Sequence, residues 1–397
     1  MGGDVPPSRP LVVLGAGYAG ASVAYEVDRR GRKQIPIVLA DRHPVHVLRT
    51  ELYEIGKMAR RPAARSWTVP LERVIEGSDI EFREGEVDTI DLEARRVRLG
   101  GEWLNYSSLA ICLGSVAAYF GVPGAETNTH QVYRLTGALR LAEDLRRLLS
   151  ERSAGGEGPP VRLVVVGGGS TGTEVAAEIA TTRWSRVIGR PVPGPQVTLI
   201  VGSLPFLAGL PAGLVLHARQ LLEKAHVTLD EGHNAKEVKT DRVLLENGVE
   251  VPFDICIWCA GLRAPPIVAS LPVPHGRGGR LRVTEHLELP GHPGVFGVGD
   301  VIEYEDPQTK LLVPGTAQAA IAEATVVGRN IIARQRGKPL EPFLYRERAS
   351  LVSVGVGRAA GSLRSVTLWG RPAALLKALV EKEYALERQH GHNPPGL

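Results

Sequence analysis

One pattern occurs twice in this chain, and its first occurrence constrains the fold more than any other feature. Leu11-Val12-Val13-Leu14 is an unbroken apolar run, suited to a parallel strand buried on both faces. Gly15-Ala16-Gly17-Tyr18-Ala19-Gly20 follows at once, Ala21 to Asp28 reads as a helix, and the apolar run Ile35 to Ala40 ends at Asp41. Gly15 makes the tight turn. Gly17 has no side chain to keep a pyrophosphate from the backbone, and Gly20 lets helix and strand pack closely. The helix start offers free N–H groups and a positive dipole end to phosphates, and Asp41 can accept hydrogen bonds from ribose hydroxyls. Arg and Lys are dense from Arg29 to Arg65. Most of them read as a solvated surface; Arg42, directly after the ribose-reading acid, is assigned to an anionic cofactor.

Val161 to Val166 is again apolar apart from Arg162, and Gly167-Gly168-Gly169-Ser170-Thr171-Gly172 repeats the glycine spacing. Gly167, Gly169 and Gly172 take the same three roles. Thr173 to Ala180 reads as a helix with Glu174 and Glu178 one turn apart, and Val197 to Val201 as the next strand. Two self-contained βαβ units imply two nucleotides, one held permanently and one exchanging. The second unit departs from the pattern where Val201-Gly202-Ser203 replaces the acid. Nothing there rejects a 2′-phosphate and nothing selects it, so NADH and NADPH both remain open.

Between these units, Ile80 to Val87 and Arg96 to Leu99 alternate polar and apolar residues around a Gly100-Gly101 turn, which predicts an antiparallel insert. Leu109 to Ser115 reads as a buried strand ending at Gly114, and Ser150 to Pro160 as a loop. Asp254 to Gly261 is another buried strand ending in glycine, and it contains Cys256 and Cys259. Redox pairs of this spacing sit at helix N-termini; in a strand, residues three apart point to opposite faces, so these are read as plain buried thiols. Val295 to Asp300 ends a strand in Gly-Asp, an acid that can reach a sugar-alcohol hydroxyl. Pro314 to Gln318 opens a helix running through Asn330. Strands are expected at Leu351 to Gly357 and Ser365 to Trp369, then a helix from Pro372 to Arg388. Leu375, Leu376, Leu379 and Val380 fall on one side of it. That side reads as packed on the body or on another subunit, with a foot on a membrane as the alternative. Lys377, Lys382 and Arg388 favour the foot; Glu381, Glu383 and Glu387 oppose it.

At 397 residues the chain allows two or three domains, and its 43% hydrophobic content is ordinary for a globular protein. A net charge of +4 suits an anionic cofactor or membrane surface. No aromatic–basic interleaving points to nucleic acid. Three cysteines do not make a disulfide framework, and neither a membrane-spanning run nor a signal peptide is apparent, which favours the cytoplasm.

The order of these pieces resembles the two-dinucleotide-fold flavoprotein reductases, and most closely the type II NADH:quinone oxidoreductases. The likeness also rests on His46 to Tyr53, Phe120-Gly121-Val122-Pro123-Gly124 and Thr316-Ala317-Gln318. It implies an α/β fold with two Rossmann-like domains and a small C-terminal strand–helix segment. Residues 9–118 and 265–340 would bind FAD, 119–264 NAD(P)H, and 341–397 would form an interface or membrane contact. It implies Asp300 on the flavin ribityl chain, and Gly114, Gly261 and Ala317 beside the cofactors. Glu174 would lie near nicotinamide and flavin, and Gln318 near the flavin ring and a quinone, as the two catalytic candidates. Hydride would pass from NAD(P)H to flavin and two electrons on to a quinone. The alternatives are a flavin-bearing redox sensor, or the reductase of a small electron-carrier protein. A homodimer, and peripheral contact with the inner face of the cell membrane, are further expectations. The family's second glutamine is missing, since Ala322-Glu323 stands there, and the C-terminal helix lacks a tryptophan-rich anchor. No cysteine precedes Cys112 or follows Cys259, which disfavours disulfide and sulfide:quinone reductases.

Overall fold

The computed structural model describes residues 9–31, 34–154, 159–363 and 366–389. Strands β1 (Leu11–Leu14), β2 (Ile37–Asp41), β3 (Ile80–Glu84) and β4 (Ser108–Ile111) are parallel, and α1 (Tyr18–Gly31) crosses from β1 to β2. Strands β5 (Arg162–Val166), β6 (Gln196–Gly202), β7 (Thr228–Glu231) and β8 (Ile255–Trp258) repeat the plan around α2 (Ser170–Thr181). Then β9 (Val295–Gly297) returns to the first sheet, beside β4. The sheet orders are β9-β4-β1-β2-β3 and β7-β6-β5-β8. The apolar runs form parallel strands because both faces of the sheet are covered; β1 is fully buried.

Each unit carries a three-stranded antiparallel insert, Val87–Asp91, Arg96–Leu99 and Glu102–Asn105 in the first and Ala235–Val238, Arg242–Leu245 and Glu250–Pro252 in the second. The predicted hairpin forms, with Gly100 and Gly101 both at positive φ (53° and 91°), the geometry of a type I′ turn. Ile80–Glu84 differs from expectation: its alternation is that of an edge strand in the parallel sheet, not of the insert. Residues up to Ala154 of the predicted 150–160 loop are helical, continuing Leu135–Ala154; residues 155–158 lie outside the described residues.

Helix α3 (Ala317–Gln335) lies along α1. The C-terminal segment is an antiparallel sheet, β10 (Ala349–Ser353), β11 (Ala359–Leu363) and β12 (Val366–Gly370), followed by α4 (Arg371–Gln389). Sequence reading missed β11 because its Ala-Ala-Gly-Ser core has no alternation. Ser365 and the side chains of Glu387 and Arg388 fall outside the described residues.

Candidate functional site: two glycine cradles and a buried ion-pair cluster

The two glycine turns are geometric copies. A Cβ on Gly15 (φ +96°) would meet the Cys112 carbonyl oxygen at 2.5 Å, and one on Gly167 (φ +120°) the Cys259 carbonyl oxygen at 2.4 Å. A Cβ on Gly20 or Gly172 would strike the oxygen of its own turn's first glycine, at 1.8 and 1.9 Å. Around Gly17 and Gly169 there is no atom within 4 Å of that position. The outer glycines are thus fixed by packing, and the middle ones face open cradles at helix N-termini, where a pyrophosphate fits.

The strand registers set the ribose-reading positions. Leu14 pairs Ala40 and Val166 pairs Ile200, so Asp41 and Val201 are equivalent. Asp41 accepts hydrogen bonds from the Ala16 N–H (2.8 Å) and the His43 N–H (3.0 Å), which hold it at the turn. Val201 is buried, its Cγ1 2.6 Å from where a Gly168 Cβ would be. Beside it, the Ser203 N–H and hydroxyl both donate to Asn234 Oδ1.

At the mouth of the first cradle the structure gathers cations. Arg134 is held below its usual range, first by burial and then by the like charges of Arg42 and Arg49. Arg49 Nη1 stands 3.3 Å from the Cβ position of Gly114 (φ +66°). Arg42 has an acidic neighbour, Glu86, at 3.8 Å. Sequence reading assigned Arg42 but left Arg49 with the solvated surface and passed over Arg134, 85 residues further on. An anion placed among these like charges would lower their repulsion.

The flavin-side residues also converge. Asp300 Oδ2 accepts from Ser115 Oγ at 2.8 Å, next to Gly114, and Asp300 Oδ1 lies 3.1 Å from the Cβ position of Gly315. Thr316 caps α3, its hydroxyl accepting from the Ala319 N–H (3.2 Å). The N–H groups of Ala317 and Gln318 are then the open donors of the first turn. Gln318 lies against the C-terminal segment: with its amide oriented to match its neighbours, its oxygen accepts from the Arg348 N–H (3.0 Å) and its nitrogen donates to the Ala349 carbonyl (3.3 Å). In the second unit, Gly261 accepts from the Ala118 N–H (2.9 Å) and lies under the exposed ring of Phe120.

Glu174 does not touch Gln318. The two sit at opposite ends of β10, roughly 13 Å apart by strand rise. Glu174 Oε1 accepts from the Ser353 N–H (3.1 Å) and pairs with Lys377 Nζ (3.4 Å). Ser353 Oγ donates to the Tyr53 hydroxyl (2.9 Å), which is 3.5 Å from Lys377 Nζ; Glu381 also pairs with Lys377. This corrects the reading of Lys377 as a surface cation: it is 8% exposed and turned inward. Burial raises the pKa of Glu174, Tyr53 and Glu54, and pushes Glu51 and Glu178 up to about 7. For Lys377 the attraction of Glu174, Tyr53 and Glu381 outweighs its own burial, so it keeps its proton.

The thiols fit the sequence reading. Cys256 packs in one apolar cluster with Trp258 and Val164, and Cys259 in another with Val165 and Ile257, on the opposite side of the sheet. Burial raises both thiols, Cys259 to about 12, so neither is a ready nucleophile.

The family model for pyridine nucleotide-disulphide oxidoreductases matches residues 9–324. The chain belongs to that family. Among curated relatives of this oxidoreductase, the demethylphylloquinone reductase of Synechocystis is 27% identical over 94% of this chain and 91% of its own. The type II NADH:quinone oxidoreductase of Staphylococcus aureus is 24% identical, covering 94% of each chain. The solved structure of NDH2 from Plasmodium falciparum in complex with NADH superposes with a TM-score of 0.83 at 15% identity, over 97% of this chain and 96% of that one. The fold is that of the two-dinucleotide-domain flavoproteins, and the cofactors of this oxidoreductase are FAD and NAD(P)H, which the two open glycine cradles fit.

Proposed function

We propose that this chain is an FAD-dependent NAD(P)H dehydrogenase that delivers electrons to a quinone, with FAD in the first unit and NAD(P)H in the second. The observation that carries the reading is the buried Glu174–Lys377–Tyr53 cluster. Reducing a quinone to a quinol takes two electrons and two protons, one more proton than NAD(P)H brings as hydride. Bound FAD supplies the hydride acceptance and onward electron delivery, and the protein supplies position and electrostatics. Burial lets the Glu174 carboxyl hold a proton it can give up, Lys377 steadies the carboxylate left behind, and the surrounding β10, α2 and α4 exclude water from the pair. An iron–sulfur carrier would take electrons alone and leave the hydride's proton to be released to solvent, which needs no buried proton donor. Gln318, fixed through Arg348 and Ala349, orients its amide at the start of α3, and the names of the relatives support the quinone.

Purified protein should be yellow, bleach anaerobically with NADH or NADPH, and recolour through many turnovers with a soluble quinone. One slow bleaching without turnover would favour the sensor reading, and folded protein that takes up no FAD would refute both.

Nicotinamide choice follows from Val201. With valine in place of the acid that pairs a 2′-hydroxyl and repels a 2′-phosphate, NADH and NADPH should be used with similar efficiencies. Val201→Glu should slow NADPH by about ten-fold or more, as like-charge contacts in a partly buried site cost a few kcal/mol. FAD content should not change. An unchanged ratio of NADH to NADPH rates would refute this placement of the ribose.

The C-terminal surface sets the partner. Among the described residues no helix is long and apolar enough to cross a membrane. The apolar side of α4, however, is not packed on the body: Leu375 is 64% and Leu379 56% exposed, beside exposed Leu363, Val366 and Trp369. Such a patch fits peripheral contact with a membrane, at the inner face of the cell membrane for a cytoplasmic chain. The protein should co-sediment with anionic phospholipid vesicles, and Leu375→Glu with Leu379→Glu should release most of it. A dimer burying the same leucines, seen by light scattering, would replace this assignment.

A further inference from the structure

Glu323 is a buried acid for which hydride and proton transfer have no use. It lies two turns into α3, is 3% exposed, and accepts the Gly299 N–H at 2.6 Å through Oε2. Gly299 (φ +80°) begins the turn that carries Asp300, and this turn is wedged between α1 and α3. A Cβ on Gly299 would lie 3.2 Å from Ala19 and 3.5 Å from Ala320. The anchor for this turn is therefore the Glu323 carboxyl, while Ser115 holds the Asp300 side chain.

No cation within ion-pairing distance accompanies Glu323 among the described residues. The charged and titratable groups around it are Asp300 on the turn, Cys112 at the end of β4, and the hydroxyls of Tyr304 and Tyr345. Arg280 lines the same small cavity, together with Gly299 and Thr316, yet its Nη2 reaches the Leu262 carbonyl (3.5 Å) and its Nε has no partner. A buried carboxylate beside another carboxylate, with no paired cation, is strongly disfavoured as the charged form.

We propose that Glu323 is a positioning residue for FAD, holding the Gly299–Asp300 turn as the neutral acid, so that the cofactor is released faster as Glu323 ionises. The proposal rests on FAD occupying the first cradle. The charge state follows from the surroundings: burial, opposed by the Gly299 N–H bond and reinforced by Asp300, pushes Glu323 up to about 8. Below that pH the acid anchors the turn without adding charge near the Asp300 carboxylate or the cofactor phosphates. Above it, a second negative charge sits behind the turn. FAD retention is thus full where Glu323 keeps its proton and declines as the pH rises through about 8. An amide would make the same hydrogen bond from its oxygen without titrating.

The test is the rate of FAD release from diluted holoprotein, read as the rise in free flavin fluorescence between pH 6 and 9.5. Wild type should release FAD about ten-fold faster at pH 9 than at pH 7, the effect of one pKa unit of coupling between acid and cofactor. Glu323→Gln should stay near the slow rate throughout, and Glu323→Ala, with the anchor gone, should be fast at every pH. A flat wild-type profile, or a Glu323→Gln profile that tracks wild type, would overturn the proposal. Gly17→Val separates the two failures. If that variant still binds FAD, the cofactor's placement is at fault; if it loses FAD while Glu323→Gln tracks wild type, only the role of Glu323 falls.

Discussion

Replacing Lys377 by Met is expected to lower the melting temperature by roughly 5–10 °C at pH 8, from about 3–5 kcal/mol for breaking a buried ion pair in a large domain. Methionine matches the length of the lysine stem, so packing changes little and the loss comes from charge. Lys377 is the cation that Glu174 and Glu381 share, and Glu51 and Glu54 feel it as well. Without it, these carboxylates face one another, with Lys57 as the cation left beside Glu54. The pH dependence has a definite sign. Burial raises the folded-state pKa of Glu51 and Glu178 from 4.5 to about 7, and raises those of Glu54 and Glu174. A carboxyl whose folded pKa is raised stabilises the fold fully below its unfolded value, and that contribution is lost as pH rises through the folded value. The deficit of Lys377→Met should therefore be small near pH 5, where these acids carry protons, and grow towards pH 8. The double variant Glu174→Gln/Lys377→Met should recover part of it, since the orphaned charge is removed with its partner. Equal deficits at pH 5 and pH 8 would show that Lys377 acts through packing alone. Quinone turnover should fall at least ten-fold at pH 8 while anaerobic bleaching by NADH persists.

The two cradles were legible in the sequence because their glycines are constrained locally. A turn of four to six residues, a strand on one side and a helix on the other fix Gly15, Gly20, Gly167 and Gly172 through backbone contacts that a sequence pattern encodes. Asp41 and Val201 were legible for the same reason, as strand register carries them from one unit to the other. The converging groups were not. Arg134 meets Arg49 and Arg42 across 85 and 92 residues, and Lys377 reaches Glu174 across 203. Periodicity reports which residues share a face of one helix and is silent about which helix that face meets. For α4 it also misjudged the facing. The buried face carries Ala373, Lys377 and Tyr384, whereas Leu375 and Leu379 point outward. A lysine turned inward is stable only because a carboxylate from α2 awaits it, and that partner is a tertiary fact. His46 is similar: its ring bridges the Ala16 carbonyl (2.8 Å) and the Tyr384 hydroxyl (3.2 Å), so the first glycine turn and the C-terminal helix share a buried support.

Valine at the two middle glycines should separate the cofactors. The Cβ positions of Gly17 and Gly169 have no neighbour within 4 Å, and Gly169 already has φ −78°, a conformation open to any residue. A Cβ there meets nothing in the protein, and the side chain occupies the space through which a pyrophosphate would approach the backbone. Gly17→Val is expected to purify folded and colourless, with FAD affinity down by at least a hundred-fold, about 3 kcal/mol. Gly169→Val should stay yellow, with FAD content equal to wild type, yet bleach at least a hundred-fold more slowly with NADH and with NADPH. Gly20→Ala and Gly172→Ala form the contrasting pair. Their added methyl groups would lie 1.8 and 1.9 Å from backbone oxygens, so the turn itself must open and stability should drop together with binding. Circular dichroism and melting temperature distinguish the pairs: near-native for the two valine variants, lowered for the two alanine variants. If Gly169→Val lost FAD, or Gly17→Val kept it while failing to react with NADH, the assignment of the cofactors to the two units would have to be exchanged.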